Sequence, residues 1–397
     1  MNPRLDLLHP YPFERLRKLF SGVKPNPEFR PINLSIGEPK HATPQFIRDA
    51  LIASLDGLAS YPQTLGRPAL RAAIAEWLEA RYGIAPIDPV TRVIPTLGSR
   101  EALFALAQVV LDSSERDALV ICPNPFYQIY EGAALLAGAT PYFVNTTAAT
   151  GWRIDWSSVP AEVWPRVRLV FTCSPANPSG GTMTLEEWRE LFALSDDYGF
   201  VIAADECYTE IYFDEARPPL GGLEAAHQLG RATFPRLVVL GSLSKRSNVP
   251  GMRSGFAAGD VELIRKFILY RTYHGSAMSP VVQAASEAAW RDELHVLENR
   301  RLYREKFDAF YAIVNPLLPL TRPPASFYYW VQTPLDDEDF AQRLLRETNV
   351  TVLPGSYLGR EVNGVNPGAN YVRIALVSTV EESAEAARRM ANFIKTL

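Results

Sequence analysis

Lys245 stands in GSLSKRSNVPGMRSG, residues 241–255, with Ser242 and Ser244 just before or beside it and Arg253 further along the same run. A lysine amine condenses with an aldehyde to form an imine, and an arginine with hydroxyls and backbone N–H groups holds a phosphate. A Ser-Lys-Arg run by itself is more often a solvated basic turn. Two other segments raise the chemical reading. DECY, residues 205–208, places Asp205 and Tyr208 at the end of an apolar run. There a carboxylate can pair with a protonated ring nitrogen and a phenol can donate to a ring oxygen, although either residue can also be an ordinary polar cap. CSPANPSGG, residues 173–181, sets Asn177 in a Pro- and Gly-punctuated loop. Its amide can serve the same ring oxygen or simply form an Asn-Pro turn. Aldehyde, ring nitrogen and phosphate together make up pyridoxal phosphate.

The elements around these residues read as α/β. ALVIC (118–122), RLVFTC (168–173), FVIAAD (200–205) and RLVVLGS (236–242) are short β-prone runs separated by helix-length segments such as TLEEWRELFALSDDYG. In an open, mostly parallel sheet the turns beyond strand C-termini converge on one crevice, which is where Asp205 and Ser242 fall. TLGSREALFALAQVVL places Gly98, Ser99 and Arg100 at a helix N-terminus, a site suited to a phosphate. GRPALRAAIAEWLEARY, residues 66–82, has the periodicity of a surface helix. Further on, ASFYYWVQT, NVTVLPG and NYVRIALVS are β-prone and are interleaved with helical EDFAQRLLRE and EESAEAARRMANFIKTL. These pieces predict a smaller α/β domain, discontinuous over 1–43 and 287–397, around a large domain over 44–286. Arg373 lies inside the apolar run NYVRIAL, where a guanidinium needs an anion: a ligand carboxylate or an internal acid.

The 397 residues are 47% hydrophobic and 21% charged, with 40 Lys and Arg against 44 Asp and Glu, a formal charge of -4. Such a chain builds a large core, which excludes collagen-like, disordered and disulfide-built classes. No long basic block points to nucleic acid, and no apolar run is long enough for a helical membrane span. The N-terminus lacks a secretory pattern, so a cytoplasmic location is expected. Cys122, Cys173 and Cys207 read as free thiols, and the five scattered histidines predict no metal site.

NPSG, DECY and SLSK followed by GMRSG, in that order, resemble the class I and II aminotransferases of the fold-type-I pyridoxal phosphate superfamily. The resemblance covers nearly the whole chain. It implies an aminotransferase-like large domain with a mostly parallel sheet, and pyridoxal 5'-phosphate bound covalently to Lys245, which is also the general acid-base group. Asp205 would pair with the pyridine nitrogen, and Asn177 and Tyr208 would contact the phenolic oxygen. Gly98, Ser99, Arg100, Ser242, Ser244 and Arg253 would hold the phosphate, and Tyr127 would stack on the ring. Tyr61 would reach the phosphate of the neighbouring subunit, which implies a homodimer. Arg373 would clamp the substrate α-carboxylate, with the Gly37 backbone and Asn177 nearby. Within the family, YPFERLR, LSIGEPKHATP, CPNPFYQIYEG and SKRSNVPGMRSG resemble the bacterial succinyldiaminopimelate aminotransferase branch. That branch exchanges an amino group between N-succinyl-LL-2,6-diaminopimelate and 2-oxoglutarate. Arg15, Arg30, Arg271 and Arg322 are candidates for its distal carboxylate, each with surface charge as the plainer explanation. An aspartate or broad-specificity aminotransferase, a carbon-sulfur lyase and a non-enzymatic binding module are the competing readings.

Overall fold

The computed structural model describes residues 1–397. After a two-residue strand, β1 (Ile32–Asn33), the chain builds one large sheet from β2 (Val93–Thr96), β3 (Leu119–Asn124), β4 (Thr140–Asn145), β5 (Val167–Cys173), β6 (Val201–Asp205), β7 (Leu237–Ser242) and β8 (Gly255–Gly259). The order across the sheet is β2-β8-β7-β6-β5-β3-β4. Strand β8 runs antiparallel to both its neighbours, and every other pairing is parallel. The sheet is therefore mixed but mostly parallel. Strands β6 and β7 are buried throughout, which explains their unbroken apolar reading.

Three of the seven strands carry no strong sequence signal. VIPT (β2) and TPYFVN (β4) each contain a proline and form the two sheet edges, where a missing N–H is tolerated. GFAAG (β8) is made of small residues because its neighbours lie close. A Cβ on Gly259 would come within 2.1 Å of the Leu237 carbonyl oxygen, and one on Gly255 within 2.5 Å of that of Gly241.

Helices cover the sheet where periodicity placed them. The segment read as 66–82 is a helix over Pro68–Tyr82, with proline in its first turn and Gly83 beyond its end at φ +59°. Thr184 and Glu187 cap the helix Leu185–Tyr198 reciprocally. The long helical stretch after residue 280 is two helices, Pro280–Trp290 and Leu294–Val314. The C-terminal part forms a three-stranded antiparallel sheet of β9 (Tyr328–Gln332), β11 (Leu353–Pro354) and β12 (Tyr371–Ala375), while β10 (Val350–Thr351) pairs with β1. One hydrophobic cluster draws on residues from Ile47 to Trp290, and another joins Ile32 and Leu34 to residues from Phe307 to Phe393. No helix is long and apolar enough to cross a membrane.

Candidate active site

The parallel strands β5, β6 and β7 end on one edge of the sheet at Cys173, Asp205 and Ser242. Above that edge lies a cavity of about 380 Å³. It gathers Gly37, Ser99, Arg100, Tyr127, Asn177, Asp205, Tyr208, Ser242, Ser244, Lys245, Arg253 and Arg373. These residues span the chain from before β2 to β12, so folding rather than sequence proximity brings them together.

Lys245 sits in a one-turn helix, Leu243–Arg246, directly beyond β7, and Ser242 caps that turn by accepting the Ser244 N–H at 3.1 Å. Its Nζ donates to the Gly37 carbonyl at 2.6 Å and lies 5.5 Å from the centre of the Phe327 ring. Burial, and after it the positive charges of Arg373 and Arg253, bring the amine down to about 8. Lys245 is the only lysine lining the cavity. A desolvated amine of this kind is available as a nucleophile and as a base near neutral pH.

Asp205 is buried at the end of β6. Its Oδ2 accepts the Tyr130 hydroxyl at 2.7 Å and its Oδ1 accepts the Cys207 N–H at 3.2 Å. Burial pushes this carboxyl up, while the bonds from Cys207 and Tyr130 and the charge of Lys245 pull it down. A cationic ring N–H would complete the compensation for the buried carboxylate.

Opposite Lys245, the helix Ser99–Val110 presents its N-terminus. Arg253, at φ +52°, folds back over that end and donates to the carbonyls of Pro250 at 3.0 Å and Leu97 at 3.4 Å. Gly98 lies beneath it rather than in the cavity wall. A Cβ there would stand 2.7 Å from Arg253 Nη2, and the backbone sits at φ +80°, so both the close guanidinium and the turn favour glycine. Ser99, Ser242 and Ser244 add hydroxyls, giving a cradle suited to a dianion.

Arg373 is buried on β12. It donates from Nη1 to Asn177 Oδ1 at 2.8 Å and from Nη2 to the Ser35 carbonyl at 2.8 Å, and its Cζ lies 4.4 Å from the Tyr328 ring centre. Its Nε finds no partner. No acidic side chain pairs with this guanidinium, which leaves donors free for a ligand carboxylate. Asn177 thus faces Arg373 as well as the cavity. Tyr208 pairs its hydroxyl with that of Tyr328 at 3.0 Å. Gly37 must be glycine because Tyr328 Oη would lie 1.9 Å from a Cβ at that position.

At the mouth, Arg100 donates to the hydroxyls of Tyr127 at 2.7 Å and Tyr11 at 2.8 Å. Its guanidinium is thus held by phenols at the rim. Tyr61 is fully exposed and lines no part of the cavity of its own chain.

Several site residues went unassigned in the sequence. Tyr11, Pro12 and Phe13 of YPFERLR and Cys207 of DECY lie within quoted motifs but were given no role, while Tyr328, Leu353 and Leu358 come from elements outside them. Tyr130, three residues after Tyr127, supports Asp205 from behind, stacked on Phe171 at 4.7 Å. Only its position on the buried face of the helix Ile129–Ala137 could have singled it out. The four arginines considered for a distal carboxylate lie outside the cavity. Arg271 is fully buried against both oxygens of Glu101 and the Pro95 carbonyl. Arg322 pairs with Asp308, Arg15 lies over the Tyr357 ring, and Arg30 is exposed.

A buried lysine, a buried acid, a helix N-terminus crossed by an arginine and a buried arginine without an acidic partner, gathered in one α/β crevice, suit amino-acid chemistry through an aldehyde cofactor. Comparison with known proteins sharpens this. Residues 30–390 match the family model for aminotransferase class I and II. The LL-diaminopimelate aminotransferase of Desulforudis audaxviator (strain MP104C) is 32% identical over 394 residues, covering 98% of this chain and 96% of that protein. An aminotransferase from Neisseria meningitidis Z2491 superposes with a TM-score of 0.95 at 51% identity over the whole of both chains. A probable N-succinyldiaminopimelate aminotransferase from Thermus thermophilus has a TM-score of 0.83 at 26% identity, covering 96% of this chain and 98% of that one. The chain belongs to the aminotransferase class I and II family. It is an aminotransferase acting on amino and keto acids, with pyridoxal phosphate carried on Lys245.

The residues present fit that cofactor. Lys245 has no carboxylate partner to displace, the Asp205 carboxyl lines the cavity, and the Arg253 cradle has no acid of its own.

Proposed function

We propose that this enzyme is a succinyldiaminopimelate transaminase, exchanging an amino group between N-succinyl-LL-2,6-diaminopimelate, or its 2-oxo form, and the pair 2-oxoglutarate and L-glutamate. One observation carries the substrate class. Of the charged side chains lining the cavity, Lys245, Arg253 and Arg373 serve the cofactor and the α-carboxylate, and the single acid, Asp205, is buried on the cofactor side, which leaves Arg100 at the rim as the one cation and no acid to face the distal end of a substrate. Free LL-diaminopimelate has a distal ammonium that would need an acidic partner. Succinylation removes that ammonium and adds a carboxylate, so the acylated substrate suits a distal wall with one cation and no acid. The names of the Desulforudis and Thermus proteins support the diaminopimelate class.

In this reading, pyridoxal phosphate supplies an electron sink for the amino-acid Cα when bound. Arg373 orients the α-carboxylate so that the Cα–H faces Lys245, and Lys245 moves the proton. Asp205 holds the pyridine nitrogen protonated. Asn177 and Tyr208 contact the phenolic oxygen, Tyr127 packs on the ring, and Ser99, Ser242, Ser244 and Arg253 with the Gly98–Arg100 turn hold the phosphate. Tyr61 acts across a homodimer interface, supported by its full exposure beside exposed Leu55 and Leu58. The domain division is that of 44–286 against 1–43 with 287–397, and the two separate hydrophobic clusters support the division itself. The helix Pro280–Trp290 crosses the 286/287 join and packs Trp290 in the large cluster, so the join falls after residue 290. The location is cytoplasmic.

A substrate panel with 2-oxoglutarate as common acceptor tests the specificity. N-succinyl-LL-diaminopimelate is expected to give the highest kcat/KM. Faster turnover of LL-diaminopimelate would assign the chain the activity named for its Desulforudis relative, and faster turnover of aspartate would make it an aspartate or broad-specificity enzyme. Pyruvate release from cystathionine without glutamate formation would indicate a carbon-sulfur lyase.

A further inference from the structure

Asn299 lies on the helix Leu294–Val314, is 2% exposed, and belongs to none of the motifs that mark the site. Its side chain nevertheless joins two active-site segments. The Nδ2 amide donates to the carbonyls of Lys245 at 3.1 Å and Arg246 at 3.3 Å. The Oδ1 accepts from Asn248 Nδ2 at 3.1 Å and lies 2.7 Å from His41 Nδ1. Two carbonyls on one side can be met only by the NH2 group, so this amide has one orientation. The His41 contact in turn requires Nδ1 to carry the proton. Burial brings His41 down to about 4, with the charge of Lys306 acting the same way, which keeps the ring neutral, and the Asn299 contact selects the tautomer.

These contacts meet a specific need. The one-turn helix Leu243–Arg246 is too short to satisfy its own last carbonyls, and Asn299 caps two of them from another element. His41 belongs to the loop whose Gly37 carbonyl accepts from Lys245 Nζ. Thr43 of the same loop donates to the Asn248 carbonyl at 3.1 Å, and His295, one helical turn before Asn299, braces Ser247 at 2.8 Å. We propose that Asn299 is a positioning residue that holds the Lys245 backbone in register with the substrate-side loop while the lysine side chain alternates between cofactor attachment and proton transfer.

The test uses the holoenzyme with Asn299→Ala, His41→Phe and the double variant. Asn299→Ala is expected to lower kcat about tenfold with KM within about twofold. It should also move the pH midpoint of the cofactor-lysine absorption band by about half a unit or more. His41→Phe should show part of the same shift and add little on the Asn299→Ala background, because both act through one contact. An unmoved midpoint, or losses that simply add, would overturn the proposal. If the alanine variant does not fold, Asn299→Asp carries the same test. It keeps the size and the acceptor toward His41 and Asn248 but cannot donate to the two carbonyls, and its kcat and midpoint are expected to change as for alanine.

Discussion

Arg373→Lys is the substitution that tests substrate orientation most sharply. Two of the five guanidinium N–H groups are engaged by Asn177 Oδ1 and the Ser35 carbonyl, each at 2.8 Å, and the Nε–H has no partner. A carboxylate in the cavity can therefore be met by a fork of donors while the arginine stays anchored. A lysine keeps the charge but cannot serve both anchors and grip two carboxylate oxygens. Hydrogen bonds to charged groups contribute about 1.5–3 kcal/mol each, so losing one net bond lowers kcat/KM about ten- to hundredfold. The assay is single-turnover spectroscopy of each half-reaction, started from the amino donor in one direction and from the keto acid in the other. Every substrate of the enzyme carries the α-carboxylate, so glutamate and the diaminopimelate substrate should lose the same factor. The resting cofactor spectrum should stay unchanged. A loss under about threefold, or one confined to the longer substrate, would refute the assignment of Arg373 to the α-carboxylate.

Two other substitutions probe buried groups. Tyr130→Phe removes the hydroxyl that donates to Asp205 Oδ2, a bond that favours the charged carboxylate; about tenfold lower kcat and weaker cofactor retention in dialysis are expected, and unchanged retention and rate would contradict the role given to Tyr130. Glu206 is buried between the Tyr82 hydroxyl and the Gly222 N–H, each at 2.6 Å, and burial raises its carboxyl to about 7. The folded chain therefore keeps a proton that the unfolded chain has released above about 4.5, so this group's contribution to stability falls as pH rises to about 7 and levels off beyond it. Glu206→Gln should flatten that fall, giving a Tm advantage over the parent at pH 8 that shrinks toward pH 5; a Tm difference independent of pH would count against it.

The chemistry was legible where local motifs combine. Lys245, Asp205 and Arg253 each have an ordinary polar reading taken singly and stand out only as a set in chain order, while β5, β6 and β7 read clearly because parallel strands buried on both faces are continuously apolar. The edge strands with Pro95 and Pro141 and the small-residue β8 did not, since position in the sheet rather than propensity makes them strands. Arg271 shows the same limit for charge. Its partner Glu101 lies far away in sequence, so a salt bridge inside the fold was indistinguishable from a free cation awaiting a ligand. Tyr130, Tyr328 and Asn299 were silent for a related reason. Each acts through a neighbour from another element, and nothing in its own flanking residues encodes that neighbour.

Borohydride reduction of the holoenzyme followed by peptide mass mapping tests the central claim most directly. The expected result is one cofactor adduct, on the peptide carrying Lys245, with both adduct and amino transfer abolished in Lys245→Ala. An adduct on another lysine, or ordinary turnover by Lys245→Ala, would contradict it.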